Sequence, residues 1–229
     1  MSTWLPGGAA APERRRRPAW PGFPPGGAAV VNATPDLALA ALFLVTWMRP
    51  AAVSGDMVAR LTVLMALEFV VVHSAGFMGF VVHGDGTRTR RTLWMLLLIG
   101  VYSLFAAGFS LAAHGWWPLV SFLVLGLNRT ATIWTGHSRG MSVGEWIVRG
   151  WVVPTLLYLG SAIATAAAPI PRLGITDAIV AADRHPGVGG QWIDEPWRAL
   201  AFGTCYFAVL GLVELFDPGG AGAPSGVEA

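Results

Sequence analysis

Residues 93 to 113 read LWMLLLIGVYSLFAAGFSLAA, a run of 21 residues without a charged side chain. A helix of this length covers about 30 Å, which is the thickness of the hydrocarbon core of a bilayer. Uncharged runs of about 18 or more apolar residues are typical of transmembrane helices. The sequence therefore predicts a membrane-crossing helix from Leu93 to Ala113.

The composition of the whole chain agrees with a membrane protein. Charged residues make up 12% of the 229 residues, whereas soluble domains contain about 25%. All 15 basic residues are arginines, which excludes a Schiff-base lysine and a P-loop. The single cysteine, Cys205, excludes an internal disulfide and a cysteine-rich metal site. No interleaved basic and aromatic patch is present, so we expect no nucleic acid partner.

Five further apolar stretches complete a predicted all-α, polytopic membrane bundle of six transmembrane helices. The helices are predicted at Thr34–Met48, Met57–Val82, Leu93–Ala113, Trp116–Trp134, Ser142–Ala168 and Pro196–Phe216. The first stretch is the weakest, with Asp36 near its start, so a bundle of five crossings is the alternative.

Residues that favour helix ends support several of these boundaries. Thr34 is predicted as an N-cap with Pro35 in the first turn. Ser142 and Glu145 have the spacing of a capping box, in which the two side chains bond to the backbone of the first turn. Pro154 predicts a kink inside the fifth helix, because proline has no backbone N–H to donate.

The two ends of the chain are predicted to lie outside the bundle. Residues 1–33 are rich in proline, glycine and alanine and predict a disordered cytoplasmic tail. The basic run Arg14 to Arg17 is followed by prolines and not by an apolar stretch, so it is not a signal peptide. Residues 34–217 form the predicted transmembrane domain, and residues 218–229 form a flexible C-terminal tail.

The distribution of arginines predicts the orientation. With the N-terminus inside, ten of the 15 arginines lie on the inner side: Arg14 to Arg17, Arg88, Arg90, Arg91, Arg129, Arg139 and Arg149. This asymmetry follows the positive-inside rule, which a five-crossing chain with Arg14 to Arg17 outside would oppose. The excess of Ala, Gly, Pro and Arg is typical of a GC-rich genome. We therefore expect a multi-pass protein of a bacterial inner (plasma) membrane with both termini in the cytoplasm.

Four polar residues predicted inside the bilayer form the candidate binding site. Measured from the predicted outer end of each helix, Glu68 and His73 lie about 16 Å and 24 Å along the second helix, and Arg129 lies about 20 Å along the fourth. Arg129 therefore lies between Glu68 and His73 in depth. Because such groups are costly in lipid unless they are paired, we predict an ion pair between Arg129 and Glu68, with Asn128 and His73 close by. Glu68 and His73 are about 140° apart around their helix and do not share a face.

This cluster leaves three functional hypotheses open. In the first, the cluster holds helices together in a non-enzymatic structural or accessory protein. In the second, it moves protons or a small solute in a small transporter or channel. In the third, the chain is a haem-binding or other enzymatic membrane subunit, although only His73 among the five histidines is deep. A water-filled cavity at Glu68 would favour transport, and a fully paired cluster would favour the structural role; we expect no cofactor and no metal.

Glycines and loops indicate where neighbours approach. Gly100 and Gly108, like Gly203 and Gly211, are eight residues apart, so each pair lies on one helix face and predicts a close neighbouring backbone. A second polar group, Arg149 with Glu214, is predicted near the inner surface.

The partners are predicted as the lipid bilayer and either a second copy or another membrane protein. The loop 171–196 is the best candidate for such a contact, because functional contacts concentrate in loops.

Overall fold

The computed structural model describes residues 27–112, 115–135, 148–183 and 189–216. These residues form helices joined by short connections, and no strand occurs among them, so the all-α prediction is confirmed for this part of the chain. The long helices are α1 (Gly27–Met48), α2 (Met57–His83), α3 (Arg88–Ala112), α4 (Trp117–Thr135), α5 (Val153–Ala167) and α8 (Pro196–Phe216), and the short ones are α6 (Asp177–Asp183) and α7 (Gln191–Asp194).

Four helices have the length and apolar composition that a membrane crossing needs. They are α2, α3, α5 with the turn before it, and α8. The apolar part of α1 is restricted to Ala33–Met48, which covers about 24 Å and is shorter than the hydrocarbon core. Helix α4 contains Asn128 and Arg129, which lower its mean hydropathy.

The predicted limits of the second and sixth helices agree with α2 and α8, whereas the predicted start of the first helix is wrong. Helix α1 begins at Gly27, so Pro35 lies inside it. Thr34 does not cap the helix, because its hydroxyl donates to the Val30 carbonyl at 2.6 Å. The first part of α1 packs inward, with Ala33 fully buried, although its composition resembles the preceding tail. Residues 1–26 and the predicted capping box lie outside the described residues.

Helix α3 begins before its predicted start, whereas the predicted start of the fifth helix at Ser142 lies outside the described residues. Helix α3 starts at Arg88, before the uncharged run, and the Thr87 hydroxyl accepts a hydrogen bond from the Arg90 N–H at 3.3 Å. The uncharged run predicts only the part of the helix that is apolar enough for a membrane, whereas the backbone hydrogen bonds of the helix also include the arginines before that run. A π-helical turn at Val148–Val152 precedes α5. The predicted kink at Pro154 stays a prediction.

Helices α1 and α8 pack closely and run antiparallel. A Cβ atom on Gly203 would lie 2.3 Å from a ring carbon of Phe43, and one on Gly211 would lie 2.8 Å from Leu37 Cγ. Because the residue numbers along α1 rise as those along α8 fall, the start of α1 and the end of α8 lie at the same end of the bundle. The predicted approach of a neighbouring backbone is therefore confirmed at Gly211, whereas the nearest atoms at Gly203 belong to the Phe43 side chain.

The same prediction is wrong for α3. No described atom lies within 4 Å of a Cβ position at Gly100 or Gly108. Leu104 and Leu111 on the same helix are each 73% exposed. Helix α3 therefore turns a broad apolar face away from the rest of the described chain.

The described residues between α5 and α8, 168–183 and 189–195, include segments that pack against the end of the bundle. The Trp47 indole donates to the Pro171 carbonyl at 3.0 Å, and the Gly174 N–H donates to the Trp47 carbonyl at 3.0 Å. Ile175 and Val180 are buried in the same core as α1 and α8. The predicted role of this segment as a partner contact stays a prediction.

Arg198 fixes the start of α8 to the end of α5. Its Nη1 donates to the carbonyl groups of Thr165, Ala166 and Ala168 at 2.8, 3.1 and 2.8 Å. Its Nε contacts the Glu195 carboxylate. The last carbonyls of a helix have no partner within the helix, and a cation there also suits the helix dipole. Arg198 therefore caps α5 with a side chain supplied by α8.

Candidate functional site

The predicted site residue Glu68 forms a hydrogen bond between α2 and α8. The Tyr206 hydroxyl donates to Glu68 Oε1 at 2.9 Å. Tyr206 is fully buried, and Glu68 is half-buried. A buried tyrosine needs a partner for its hydroxyl, and a carboxylate oxygen is a strong acceptor. The bond therefore gives a polar side chain on α2 a fixed partner inside the bundle.

Tyr158 joins a third helix, α5, to the same place. Its hydroxyl donates to the Met65 carbonyl on α2 at 2.7 Å, and its side chain is buried. The rings of Tyr158 and Tyr206 meet almost perpendicularly, with centroids 5.5 Å apart. Edge-to-face contacts of this kind are favourable beyond the apolar area that they bury. Two tyrosines thus tie α2, α5 and α8 together one turn apart along α2.

A second pair of acidic residues lies between α1 and α8. The side chains of Asp36 and Glu214 lie near each other, and both are half-buried. The predicted grouping of Glu214 with Arg149 is not tested, because the Arg149 side chain lies outside the described residues.

His73 occupies a different environment from Glu68. Its ring stacks on Phe69 with centroids 5.6 Å apart and contacts Phe77 at 5.4 Å and Tyr102 at 6.2 Å. The His73 side chain is exposed on the outer face of α2. Glu68 therefore faces α8, whereas His73 lies on an aromatic surface shared by α2 and α3. The two residues lie on different faces of α2, as predicted.

The predicted partners on α4 are described only by their backbone. Asn128 and Arg129 lie in the regular part of α4, and their side chains fall outside the described residues. The ion pair between Glu68 and Arg129 therefore stays a prediction, as does a binding role for Glu68, His73, Asn128 and Arg129.

Sequence reasoning missed Tyr158, Tyr206 and Asp36 as members of the polar network. A signal for the tyrosines was present, because the chain has three and all fall in predicted transmembrane helices. A tyrosine inside hydrocarbon must place its hydroxyl against an acceptor, which marks it as a helix contact. The identity of the acceptor depends on helix packing and cannot be read from the spacing of residues along the chain.

Two cavities in the described part of the chain lie away from Glu68. A groove of about 650 Å³ has mostly apolar walls, including Ala66, Ile163 and Trp192, and a cavity of about 270 Å³ lies at the turn between α2 and α3. Glu68 lines neither of them. No group of three or more His, Cys, Asp or Glu side chains in the described ranges is arranged to hold a metal ion. The arrangement around Glu68 is suited to holding helices together through hydrogen bonds.

Comparison of the chain with protein-family models, with curated proteins and with solved structures gives no match.

Proposed function

We propose that this chain is a six-crossing protein of a bacterial inner membrane, with both termini in the cytoplasm and a non-enzymatic, structural or accessory role. One observation carries the proposal for the role: the Tyr206 hydroxyl donates to Glu68 from a fully buried position, so the two groups are paired inside the bundle. A site that moves a solute needs access for that solute, whereas a site that joins helices needs paired groups.

The directions of the helices support six crossings. In a chain that crosses six times, the first and sixth helices are antiparallel, as are the second and fifth. The contacts between α1 and α8 are antiparallel, as expected for the first and sixth helices. Met65 on α2 contacts Tyr158 on α5, and the later residue Gly76 lies against the earlier residue Trp151. Helix α2 therefore runs antiparallel to α5 and the turn before it.

Labelling of single cysteines tests the topology. In a Cys205→Ser background, cysteines replace Ser2, Ser54 or Thr87, and intact spheroplasts are treated with a thiol reagent that does not cross membranes. Six crossings predict labelling at position 54 alone, because positions 2 and 87 then face the cytoplasm. Labelling at position 2 as well would favour five crossings. Labelling at position 87 would overturn the orientation, and recovery of the chain in the soluble fraction would overturn membrane insertion.

A double-mutant cycle tests the structural role of the Glu68–Tyr206 hydrogen bond. We expect Glu68→Gln and Tyr206→Phe each to lower the thermal stability of the protein in detergent. The double variant should lose less than the sum of the two, with a coupling free energy of about 0.5 kcal/mol or more. Tyr102→Phe is the matched control, since Tyr102 lies on α3 and contacts His73 through its ring. Additive losses would show that the hydrogen bond does not join the helices.

The acidic residues also give a specific reason to test proton transfer as a second candidate function. Asp36, Glu68 and Glu214 come from three helices. Tyr206 lies near enough to Glu68 and Asp36 for their charges to act on its hydroxyl. Liposomes that contain the protein and an internal pH-sensitive dye measure the flux. The structural role predicts the same proton leak as in protein-free liposomes. A faster leak that Glu68→Gln abolishes, with the variant still folded, would replace the structural role by proton transfer.

A further inference from the structure

The turn between α2 and α3 contains a small cavity with basic walls, which we call the turn cavity. Its volume is about 270 Å³. The residues that line it are Phe80, Val81, Gly84, Asp85, Arg90, Arg91 and Trp94. Two arginines and one aspartate give the lining a net positive charge. The cavity lies at the end of the bundle that the arginine distribution assigns to the cytoplasmic side.

The Arg91 side chain is held in place but not fully paired. Its Nη1 donates to the Val82 carbonyl at 2.7 Å, which closes the α2–α3 turn from within. Its Nε is buried and makes no hydrogen bond. A buried donor without a partner is unfavourable, and a charged donor is more so. The Arg91 side chain also lines the turn cavity, where its positive charge favours an anionic acceptor.

Arg90 adds a second positive charge to the same lining. Its side chain is exposed, and neither Arg90 nor Arg91 takes part in any of the ion pairs found among the described residues. Both arginines lie in the first turn of α3, where the helix dipole also favours an anion. A planar guanidinium binds phosphate oxygens in a defined geometry, so the chemistry of the cavity fits a phosphate group.

Apolar residues beside the cavity favour a phosphate that belongs to a lipid over a soluble one. Trp94 lines the cavity and is 51% exposed, and Leu93 and Leu97 on α3 are 63% and 54% exposed. Indole side chains favour the membrane interface, where one side is polar and the other is apolar. An acyl chain attached to a phosphate in the turn cavity would run along this open face of α3.

We propose that the turn cavity binds the headgroup of an anionic phospholipid, with Arg90 and Arg91 at the phosphate and Trp94 beside the acyl chains. Basic pockets between transmembrane helices on the cytoplasmic side are known binding places for anionic headgroups. The proposal rests on the membrane insertion and orientation proposed above. It adds a ligand class and a site on a part of the molecule remote from Glu68.

Native mass spectrometry of the whole chain in a neutral detergent tests the proposal. The protein is mixed with equal amounts of phosphatidylglycerol and phosphatidylcholine, and the retained lipids are counted. We expect a preference for phosphatidylglycerol that falls about tenfold in Arg90→Gln/Arg91→Gln, because two charged donors are lost. Arg90→Gln alone should show part of this loss while leaving the Arg91–Val82 hydrogen bond intact, which keeps the test valid if the double variant fails to fold.

The control removes the same charge at the other end of the bundle. Arg60→Gln/Arg172→Gln replaces two exposed arginines that are each paired with an aspartate, and it should keep the preference unchanged. An equal loss in this control would reduce the effect to net charge and overturn the site. Displacement of the lipid by millimolar inorganic phosphate would identify a soluble ligand and overturn the lipid assignment. Failure of the labelling experiment would remove the membrane proposal itself, whereas an inserted protein without lipid preference would refute only the site.

Discussion

Helices α8 and α3 are similarly apolar and each has two glycines eight residues apart, but their surroundings differ. In the best spanning segment of α8, 44% of residues are buried in the bundle, compared with 17% in α3. Gly203 and Gly211 of α8 lie against α1, whereas Gly100 and Gly108 of α3 face no described atom. Glycine spacing therefore permits close helix packing without specifying which helices pack.

Polar groups distinguish the two helices more clearly than glycines do. Three polar residues of α8 interact with other helices. Arg198 donates to the end of α5, Tyr206 donates to Glu68 on α2, and Glu214 lies near Asp36 on α1. The span of α3 after its first turn has no charged residue. In the membrane that we propose for this chain, burying a leucine-rich surface gives helices little reason to associate, because lipid is equally apolar, while unpaired polar groups give a strong one. On that proposal, the polar residues favour a central position for α8.

The largest expected effect comes from filling the contact between α1 and α8. Gly203→Leu should destabilise the protein by about 3 kcal/mol, because the new side chain must displace the buried Phe43 ring. Gly100→Leu in α3 is the matched control and should have little effect, since its Cβ enters open space. Thermal unfolding in detergent, followed by tryptophan fluorescence, measures both. Equal losses in the two variants would mean that α3 is as tightly packed as α8.

A smaller effect is expected from removing the cap that α8 supplies to α5. Arg198→Met should cost about 2 kcal/mol, because carbonyl groups at the end of α5 lose their donor. The exposed Arg88 at the start of α3 provides the comparison, and Arg88→Met should change the unfolding temperature little. If Arg198→Met were as stable as the parent, the three hydrogen bonds at the end of α5 would not contribute to the difference between the helices.

The smallest effect concerns Asp56, which lies outside both helices at the start of α2. Hydrogen bonds from Ser54, and then from Arg60, lower the pKa of the Asp56 carboxyl below its usual value. Its stabilising effect is therefore present above about pH 4, the unfolded value, and is lost as the pH falls through the lower folded value. The unfolding temperature should fall less between pH 5 and pH 3 in Asp56→Asn than in the parent. An identical pH dependence in both proteins would contradict this assignment.

The fold was predictable wherever one property of the sequence dominates. The uncharged run of α3 and the proline and glycine limits of α2 and α8 fix where hydrocarbon-length helices occur. The start of α1 was not predictable, because Thr34 and Pro35 have the pattern of a helix end but lie within a longer helix. At the site, the cost of a carboxylate in an apolar segment indicated Glu68. Its partner Tyr206 is 138 residues away in the chain and could not be inferred from local pattern.

By itself, the amino-acid sequence determined that the chain is helical and has segments long and apolar enough to cross a membrane. It did so because helix length and side-chain hydropathy are properties of consecutive residues. Only the tertiary structure decided that α1 packs on α8, that Tyr206 reaches Glu68, and that the described residues leave a broad face of α3 uncovered. Those outcomes depend on the rotation and direction of each helix relative to its neighbours, which are set by packing between residues far apart in sequence.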